Sequence, residues 1–439
     1  MATTKITNPD LFDLGSLNTA LKLPSGTTAE RPTSPSTGEW RYNTTTNLVE
    51  YYDGGSWREL VSELIPPVPG ENFNVKTYTG NGSTQSITGV GFQPDFTWIK
   101  KYNASGTFHM LTTTRIGTGE QFRTNSTLGR NVSSDCITSF DSDGFSLGSN
   151  ANVNDNTDQF VAYSWKVNGG TSDTNNEGSS TSTVEVNQGN GISMFSYSGT
   201  GSAGATVGHG LGATPDMFFM MDRYNGGGWR VWHKGMTSAA YYLEWNSSNA
   251  ETSSSGAFNR TAPTSSVITL GSDLTPNGSG RQFIAWAFTS ITGFSKFDSY
   301  TGNGSTNGPV INTGFEPAFV IIKRTDAADA WYIYDNARTP NNPRNGILLA
   351  NTDNEQLTNT QYYSVDFLSN GFQPRSDVST ATNDNGGNYI YMAFAKTASS
   401  TPPTLADSFA NKLYTGTGVD PLNITGLGFQ PSLVWIKSR

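Results

Sequence analysis

The residues of this chain that could do chemistry are few and scattered. Three histidines occur, His109, His209 and His233, and Cys136 is the single cysteine. No histidine has a second histidine or a cysteine at the spacing of metal ligands. We therefore predict no metal or nucleophilic role for the histidines, and we interpret Cys136 as a small core residue.

The acidic residues form no convincing site either. Residues 141–144, Asp-Ser-Asp-Gly, resemble the start of a calcium loop, but the third acidic position and the distal glutamate are missing, and a hairpin turn explains the pattern better. Asn154, Asp155 and Asp158 could hold a surface cation, but a polar loop explains them better. Because carboxylate pairs for sugar cleavage meet in space, a hydrolase stays an alternative. The prediction is no catalytic residues, no metal and no cofactor.

Aromatic rings are the remaining candidates for a binding site. They make up 12% of the chain, and an exposed ring has an apolar face on which a sugar can lie. Each ring could instead pack in a core, and we expect that alternative for most, since alternate strand positions face inward. The candidates for glycan contact are Tyr102, Tyr224, Trp229, Trp232, Trp331 and Tyr334.

The sequence pattern of the elements that would position these rings occurs four times in the chain. A Tyr-Thr/Ser-Gly turn, followed by a Gly-Phe-Gln-Pro-like turn and an apolar strand, recurs about every 100 to 120 residues. This period predicts domain-sized repeats at 72–170, 190–290 and 294–397, and the incomplete start of a fourth at 410–439. A lone strand cannot bury itself. We therefore expect the chain to be the front part of something longer, or to borrow strands from another subunit.

Composition and periodicity favour β-structure throughout. Charged residues are only 14% of the chain, and glycine, serine, threonine and asparagine are abundant, which suits short strands joined by tight turns. The final strand of each repeat alternates large and small residues, and we expect the large ones to face the interior of a sandwich. The predicted fold class is all-β, with tandem, jelly-roll-like β-sandwich repeats. The large residues are Val161, Tyr163 and Trp165; Ile284, Trp286 and Phe288; and Ile390, Met392 and Phe394.

The segments outside the repeats are predicted to be an arm, a small module and linkers. Residues 1–29 suggest an extended N-terminal arm, and residues 30–65 a small β-hairpin module with a turn at 53–55, too short to own a real core. The prolines of 65–70 predict a stiff linker. The polar stretch 171–188 predicts a flexible joint.

Charge and hydropathy exclude two classes of function. The formal net charge is −9 and no cluster of lysine or arginine occurs, so binding to nucleic acid through its phosphates is not expected. No apolar stretch reaches the length of a signal peptide or a membrane span. We therefore expect synthesis in a cytoplasm and no membrane insertion.

Two segments resemble known phage proteins. Residues 30–60, ERPTSPSTGEWRYNTTTNLVEYYDGGSWREL, resemble a short element of structural and fibre proteins of tailed phages. The repeats resemble a domain common in virion proteins of marine phages, including cyanophages. The matching phrases are GFQPDFTWIK at 91–100, SFDSDGFSLGSN at 139–150 and FVAYSWK at 160–166. The third repeat matches less fully and the second least.

The resemblance implies a virion protein without catalytic residues. The leading interpretation is a tail or appendage fibre that docks to other virion proteins through its N-terminal region. Its repeats would bind host-surface glycan weakly and at several sites. Fibres of this kind are commonly homotrimers, so the resemblance implies a homotrimer. A head or neck decoration protein is the alternative, and a polysaccharide depolymerase is the third.

Overall fold

The computed structural model describes residues 23–46, 48–59, 67–377 and 380–397, with short stretches at 412–415, 417–418, 424 and 434–437. Most of the predicted arm and most of the predicted fourth repeat lie outside these residues. The chain forms two compact units, Met1–Ile65 and Pro66–Arg439. The all-β prediction is confirmed, because strands dominate both units. Within the described ranges, no helix is long and apolar enough to cross a membrane.

The N-terminal unit is a small four-stranded sheet with a polar inner face. Its strands lie in the order β1-β2-β3-β4, and only the first pair is parallel. The buried Glu50 carboxylate accepts hydrogen bonds from Arg31 at 2.5 Å and from Asn43 at 3.1 Å. A partly buried ion pair therefore contributes to holding this module together. The strands are β1 (Ser25–Gly26), β2 (Trp40–Asn43), β3 (Leu48–Tyr52) and β4 (Trp57–Glu59).

The large unit contains the first three predicted repeats. Repeat 1 has the strands β5 (Phe73–Thr79), β6 (Gln85–Thr88), β7 (Phe96–Lys101), β8 (Met110–Thr113), β9 (Glu120–Arg123), β10 (Asn131–Val132), β11 (Ile137–Asp141), β12 (Gly144–Leu147) and β13 (Gln159–Trp165), with helix α1 (Ala151–Asn154). The linker and repeat 2 have β14 (Asp173–Asn175), β15 (Ser182–Asn187), β16 (Ile192–Ser198), β17 (Thr206–Gly208), β18 (Met217–Asp222), β19 (Arg230–His233), β20 (Tyr241–Glu244), β21 (Thr252–Ser253), β22 (Val267–Thr269) and β23 (Gln282–Phe288), with α2 (Ser255–Phe258) and α3 (Leu274–Asn277). Repeat 3 has β24 (Ser295–Thr301), β25 (Ile311–Asn312), β26 (Pro317–Arg324), β27 (Trp331–Asp335), β28 (Gly346–Leu349), β29 (Leu357–Thr358), β30 (Val365–Leu368), β31 (Gly371–Pro374) and β32 (Asn388–Ala395), with α4 (Thr360–Tyr363).

Each repeat is a sandwich of a large antiparallel sheet and a small one, and the large sheets share one strand order. The order is β5-β13-β7-β8-β9-β10 in repeat 1, β16-β23-β18-β19-β20-β21 in repeat 2 and β24-β32-β26-β27-β28-β29 in repeat 3. The small sheets are β11-β12-β6, β17-β22 and β25-β31-β30. Repeat 2 has only two strands in its small sheet, which agrees with the missing hairpin in its sequence.

The large residues of the final strands do not face the sandwich interiors. Trp165, Trp286 and Met392 all lie in one central core that the three large sheets build together, whereas Ala162 and Ala285 face the small sheets of their own repeats. The expectation from the alternation is therefore wrong about direction. Alternation separates two faces of a strand but does not say which layer covers each face.

The repeated Tyr-Thr/Ser-Gly turn is a clamp on the end of each sandwich. In repeat 1 the Tyr78 hydroxyl donates to the carbonyl of Val153 at 2.7 Å, and the buried Asn154 side chain accepts from the Asn81 N–H at 2.9 Å. A Cβ on Gly80 would lie 2.1 Å from a backbone oxygen, so the turn requires glycine. The same arrangement recurs around Asn277 and Asn383 in the other repeats. Asn154 is therefore a structural residue and not a surface cation ligand.

The linker 171–188 is not the flexible joint that its composition predicts. Its strand β15 pairs antiparallel with β16 and extends the large sheet of repeat 2. Val184 packs into the core of that sandwich, and Glu185 on the opposite face is buried against repeat 1. The signal for a strand was the alternation of two apolar residues, Val184 and Val186, with the polar residues on either side of them.

Candidate functional site at the junctions between repeats

The three repeats meet through equivalent backbone hydrogen bonds. Between repeats 1 and 2, the Arg130 N–H donates to the carbonyl of Arg223 at 2.8 Å, and the Gly227 N–H donates to the carbonyl of Thr127 at 2.7 Å. Arg223 is the first residue after β18. The two bonds join loops of both repeats in the manner of a short antiparallel bridge.

The other two junctions repeat this pair of bonds at matching positions. Thr325, the first residue after β26, accepts from the Glu251 N–H at 2.9 Å, and Tyr102, the first residue after β7, accepts from the Gln356 N–H at 2.8 Å. The second bonds run from Asp329 to Ser248 and from Gly106 to Asp353. Repeat 1 thus binds repeat 3, repeat 3 binds repeat 2 and repeat 2 binds repeat 1, which closes a ring.

Four of the six aromatic candidates for glycan contact are buried: two lie in the central core, one in the sandwich core of repeat 2 and one in that of repeat 3. Trp229, Trp232, Trp331 and Tyr334 are 0%, 6%, 1% and 0% exposed. Trp331 donates from Nε1 to the carbonyl of Glu244 at 3.1 Å, across the junction between repeats 2 and 3. These four rings are core residues that a sugar cannot reach, which corrects the expectation of contact for them.

The other two candidates lie beside junctions. Tyr224 is 48% exposed. The guanidinium carbons of Arg130 and Arg223 lie 4.6 Å and 5.2 Å from its ring centre, and Glu120 forms ion pairs with both arginines. Tyr102 is half-buried against the central core, and burial raises its pKa. Neither ring is a bare platform for a sugar.

A polar pocket of about 370 Å³ opens at the junction between repeats 2 and 3. Repeat 2 contributes backbone and hydroxyl groups from the loop after β19, and repeat 3 contributes the ends of its large sheet. Most of the lining side chains carry hydroxyl or amide groups, and no carboxylate, ammonium or guanidinium group is among them. The lining residues are Gly235, Thr237, Ser299, Tyr300, Thr301, Thr325 and Asn388.

Buried charged groups hold the junctions and are closed to solvent. The side chains of Asp335 and Arg338 are both fully buried and form an ion pair at 2.6 Å. Tyr163 of repeat 1 donates to the same Asp335 carboxylate at 2.8 Å. Lys100 donates to the carbonyl of Asp353 in repeat 3 at 3.0 Å, and burial lowers the pKa of Lys100 to about 8. These groups stabilise contacts between repeats, because charges in a core need partners.

The Glu185 carboxyl is buried at the junction of repeats 1 and 2. Burial, and then the neighbouring Asp95 carboxylate, raise the pKa of Glu185 to about 7. Its oxygens accept hydrogen bonds from the Thr114 hydroxyl and the Gly170 N–H, each at 2.9 Å. Both carboxyls are 0% exposed. A substrate cannot reach this pair, so it does not support cleavage of an external polysaccharide.

The residues that we considered for chemistry are structural. His109 is buried with Nε2 3.1 Å from the carbonyl of Leu349, and burial lowers its pKa, so the ring is neutral. Burial raises the pKa of Cys136 to about 11, which leaves an unreactive thiol. The Asp143 carboxylate accepts from the backbone N–H groups of Gly89 and Gly91, in the loop between β6 and β7. Among the described residues, no three His, Cys, Asp or Glu side chains could hold a metal ion together.

Comparison with known proteins places the large unit in a family. A family model described as "Domain of unknown function (DUF7483)" matches residues 68–398, so the chain belongs to this family. The match spans all three repeats and their junctions. No curated protein and no solved structure was found to match the chain.

Sequence reasoning missed the pocket because none of its lining residues suggests chemistry by type. A position-by-position comparison of the three repeats was the available signal. The first residue after the third strand is Tyr102, Arg223 or Thr325, and the second residue after the fourth strand is Arg115, Gly235 or Ala337. Only one of the three junctions combines small residues at both positions.

Proposed function

We propose that this chain is a structural protein of a tailed-phage virion, most specifically a tail or appendage fibre. Its N-terminal unit would attach to other virion proteins, and its ring of three repeats would be presented to glycan on the host surface. The resemblance of residues 30–60 and of the repeats to phage proteins supports the virion location.

The observation that carries the proposal is the division of the chain into two compact units with different surfaces. In the N-terminal unit, Trp40 is 48% exposed and stacks on Tyr51 with ring centres 5.5 Å apart. An exposed aromatic pair on a small sheet is a suitable anchor for another protein. The large unit buries most of its large rings, Tyr224 and Tyr362 being exceptions, and its sequence is rich in residues with hydroxyl and amide groups.

The homotrimer that the resemblance implies stays a prediction for the fibre as a whole. The three repeats of one chain bury against one another the faces that three separate copies would otherwise share. We therefore propose that one chain supplies one complete ring, and that any trimer contacts are made by other surfaces.

Two other functions are weaker candidates. A head or neck decoration protein would use the same docking unit without a receptor. A depolymerase would need an accessible acid pair, and the adjacent carboxyls of Asp95 and Glu185 are buried.

Immunogold electron microscopy of intact virions tests the proposal, with antibody against residues 190–290. Gold on the tail tip or on tail-attached fibres is the expected result. Gold spread over the head, or ringed at the neck, would contradict the fibre and favour decoration. Virions without any label would contradict both.

A further inference from the structure

The pocket between repeats 2 and 3 exists because two positions of that junction carry small residues. At the junction of repeats 1 and 2, Arg115 fills the matching position and its guanidinium donates to Ser196 at 2.7 Å. Gly235 takes the place of Arg115 in repeat 2, and a Cβ there would lie 2.7 Å from the Ser299 Cβ. Glycine therefore brings the two repeats into close contact at the pocket and leaves no side chain to fill it.

The second position, which is occupied by Thr325, also keeps the pocket open. Thr325 lines the pocket, whereas its equivalents Tyr102 and Arg223 have long side chains at the other two junctions. At the junction of repeats 3 and 1, the small Ala337 is combined with Tyr102, which packs against the central core. Of the three equivalent junctions, the one between repeats 2 and 3 therefore has small residues at both positions and contains an open pocket.

The open pocket carries polar groups that a ligand can use. Within the part of the chain that the structure describes, no hydrogen bond is made by the Ser299 hydroxyl or by the Asn388 amide nitrogen. The Thr301 hydroxyl donates to the Asn388 amide oxygen at 3.3 Å, which orients the amide nitrogen. The amide nitrogen has two N–H donors, and the hydroxyl has one O–H donor and an acceptor oxygen, so together they offer three donors and an acceptor to a ligand.

The charge around the pocket selects against anions. The Thr237 N–H and hydroxyl both donate to the Glu251 carboxylate, which lies behind the pocket wall. No cationic side chain is among the lining residues. The buried Lys323 interacts with Glu251 but does not line the pocket, so a carboxylate or phosphate in the pocket would have no lining cation to pair with.

We propose that this pocket binds a neutral sugar ring. Its volume lies near the lower end of the roughly 300–1,000 Å³ range of small-molecule sites, and its lining matches a ring of hydroxyl groups with donors and acceptors. The inference rests on the proposed function for the origin of the sugar, which would be a host-surface glycan. Its chemistry is independent of where the protein lies in the virion.

Saturation-transfer NMR on the full chain tests the inference, with glucose, galactose, mannose and N-acetylglucosamine as neutral probes and glucuronic acid as the charged contrast. Thr325→Tyr places at this junction the residue that repeat 1 has there, and should fill the pocket. Thr325→Ser is the matched control that keeps it open. Asn388→Ala removes an exposed pocket donor with little risk to the fold.

We expect transfer to at least one neutral sugar, a weaker signal from glucuronic acid, and at least about tenfold weaker binding in Thr325→Tyr and Asn388→Ala. Thr325→Ser should bind as the natural chain does. Absence of saturation transfer to every neutral probe would overturn the inference. So would Thr325→Tyr and Asn388→Ala both binding sugar as strongly as the natural chain does. If the chain binds sugar but the gold label lies on the head, the fibre proposal is contradicted and the sugar pocket is not. If the gold label lies on the tail but no sugar binds, the sugar pocket is contradicted and the fibre proposal is not.

Discussion

The backbone N–H of Arg130 in repeat 1 donates to the carbonyl of Arg223 in repeat 2, and the two guanidinium groups then lie over the same tyrosine ring. The backbone part of this contact recurs at both other junctions, whereas the side chains do not. The fold therefore keeps the ring by main-chain bonds that tolerate sequence change, and leaves the side chains of each junction free to differ. This freedom is what allows one junction to hold a pocket and another a charged cluster.

The shared core predicts that the three repeats unfold together. Trp286 is fully buried, and its ring centre lies 5.0 Å from that of Phe219 in its own repeat and 6.1 Å from that of Phe122 in repeat 1. Trp286→Ala should lower the free energy of unfolding by about 3–5 kcal/mol and should shift one cooperative urea transition. Leu128→Ala, at a side chain that is 53% exposed, is the control and should change little.

A separate early transition for repeat 2 in Trp286→Ala would show that the repeats are independent domains. Far-UV circular dichroism and tryptophan fluorescence measured on the same samples distinguish the two cases, because coincident curves indicate a single transition.

The sequence predicted the strands better than their partners. The alternation in β13, β23 and β32 located three strands and separated their two faces, but the face with the large residues was assigned to the wrong layer. It could not assign the face of Trp286 to a neighbouring repeat, because burial by a distant sheet and burial by the near one leave the same pattern. Composition misled at 171–188, where polar residues of a true strand, β15, outnumber its valines. The pocket could not be predicted from the sequence for a related reason. It depends on small residues that become informative only when they are compared with the residues at the matching positions of the other two repeats.

Glu185 predicts a dependence of stability on pH. Its pKa of about 7 in the folded chain exceeds the ordinary value of 4.5 for a glutamate, so between about pH 4.5 and pH 7 the folded state holds a proton that the unfolded state has released. Stability from this group is therefore full below about pH 4.5 and falls as the pH rises towards 7. A shift of this size corresponds to a loss on the order of 3 kcal/mol.

Glu185→Gln isolates this effect, since a neutral amide can still accept the Gly170 N–H. The difference in unfolding free energy, variant minus natural chain, should rise between pH 5 and pH 8, with the variant the more stable at pH 8. The comparison must be a difference because the buried histidines act in the opposite sense; burial lowers the pKa of His233 to about 4, so its contribution is lost as the pH falls. A difference that stays flat over this range would show that Glu185 titrates normally.

The buried pair of Asp335 and Arg338 predicts a large asymmetry between two substitutions. Arg338→Met leaves the Asp335 carboxylate without its cation in the core and should cost about 3–5 kcal/mol. Tyr163→Phe removes only the hydrogen bond that repeat 1 donates to that carboxylate and should cost about 1–3 kcal/mol. Urea denaturation at constant pH measures both.

Lys396→Met is the matched control for Arg338→Met, because the ion pair of Lys396 with Glu316 lies at the surface and such pairs contribute under about 1 kcal/mol. Equal losses in Lys396→Met and Arg338→Met would mean that burial does not set the value of these pairs.

The exposed Trp40 predicts that docking and stability can be separated. Trp40→Ala removes half of the stacked pair with Tyr51, and we expect it to reduce the amount of this protein in purified virions several-fold, because buried aromatic anchors carry most of the energy of an interface. The melting temperature of the large unit should not change, since the two units are separate compact bodies. Quantitative immunoblotting of virions from a phage that carries the variant gives the first value, and calorimetry of the purified chain gives the second. Trp57→Ala is the comparison within the same sheet: the Trp57 ring contacts Arg41 at 5.8 Å and Tyr52 at 5.6 Å, so this variant should destabilise the N-terminal unit. Normal incorporation of Trp40→Ala, with reduced incorporation of Trp57→Ala, would show that the N-terminal unit docks through another face.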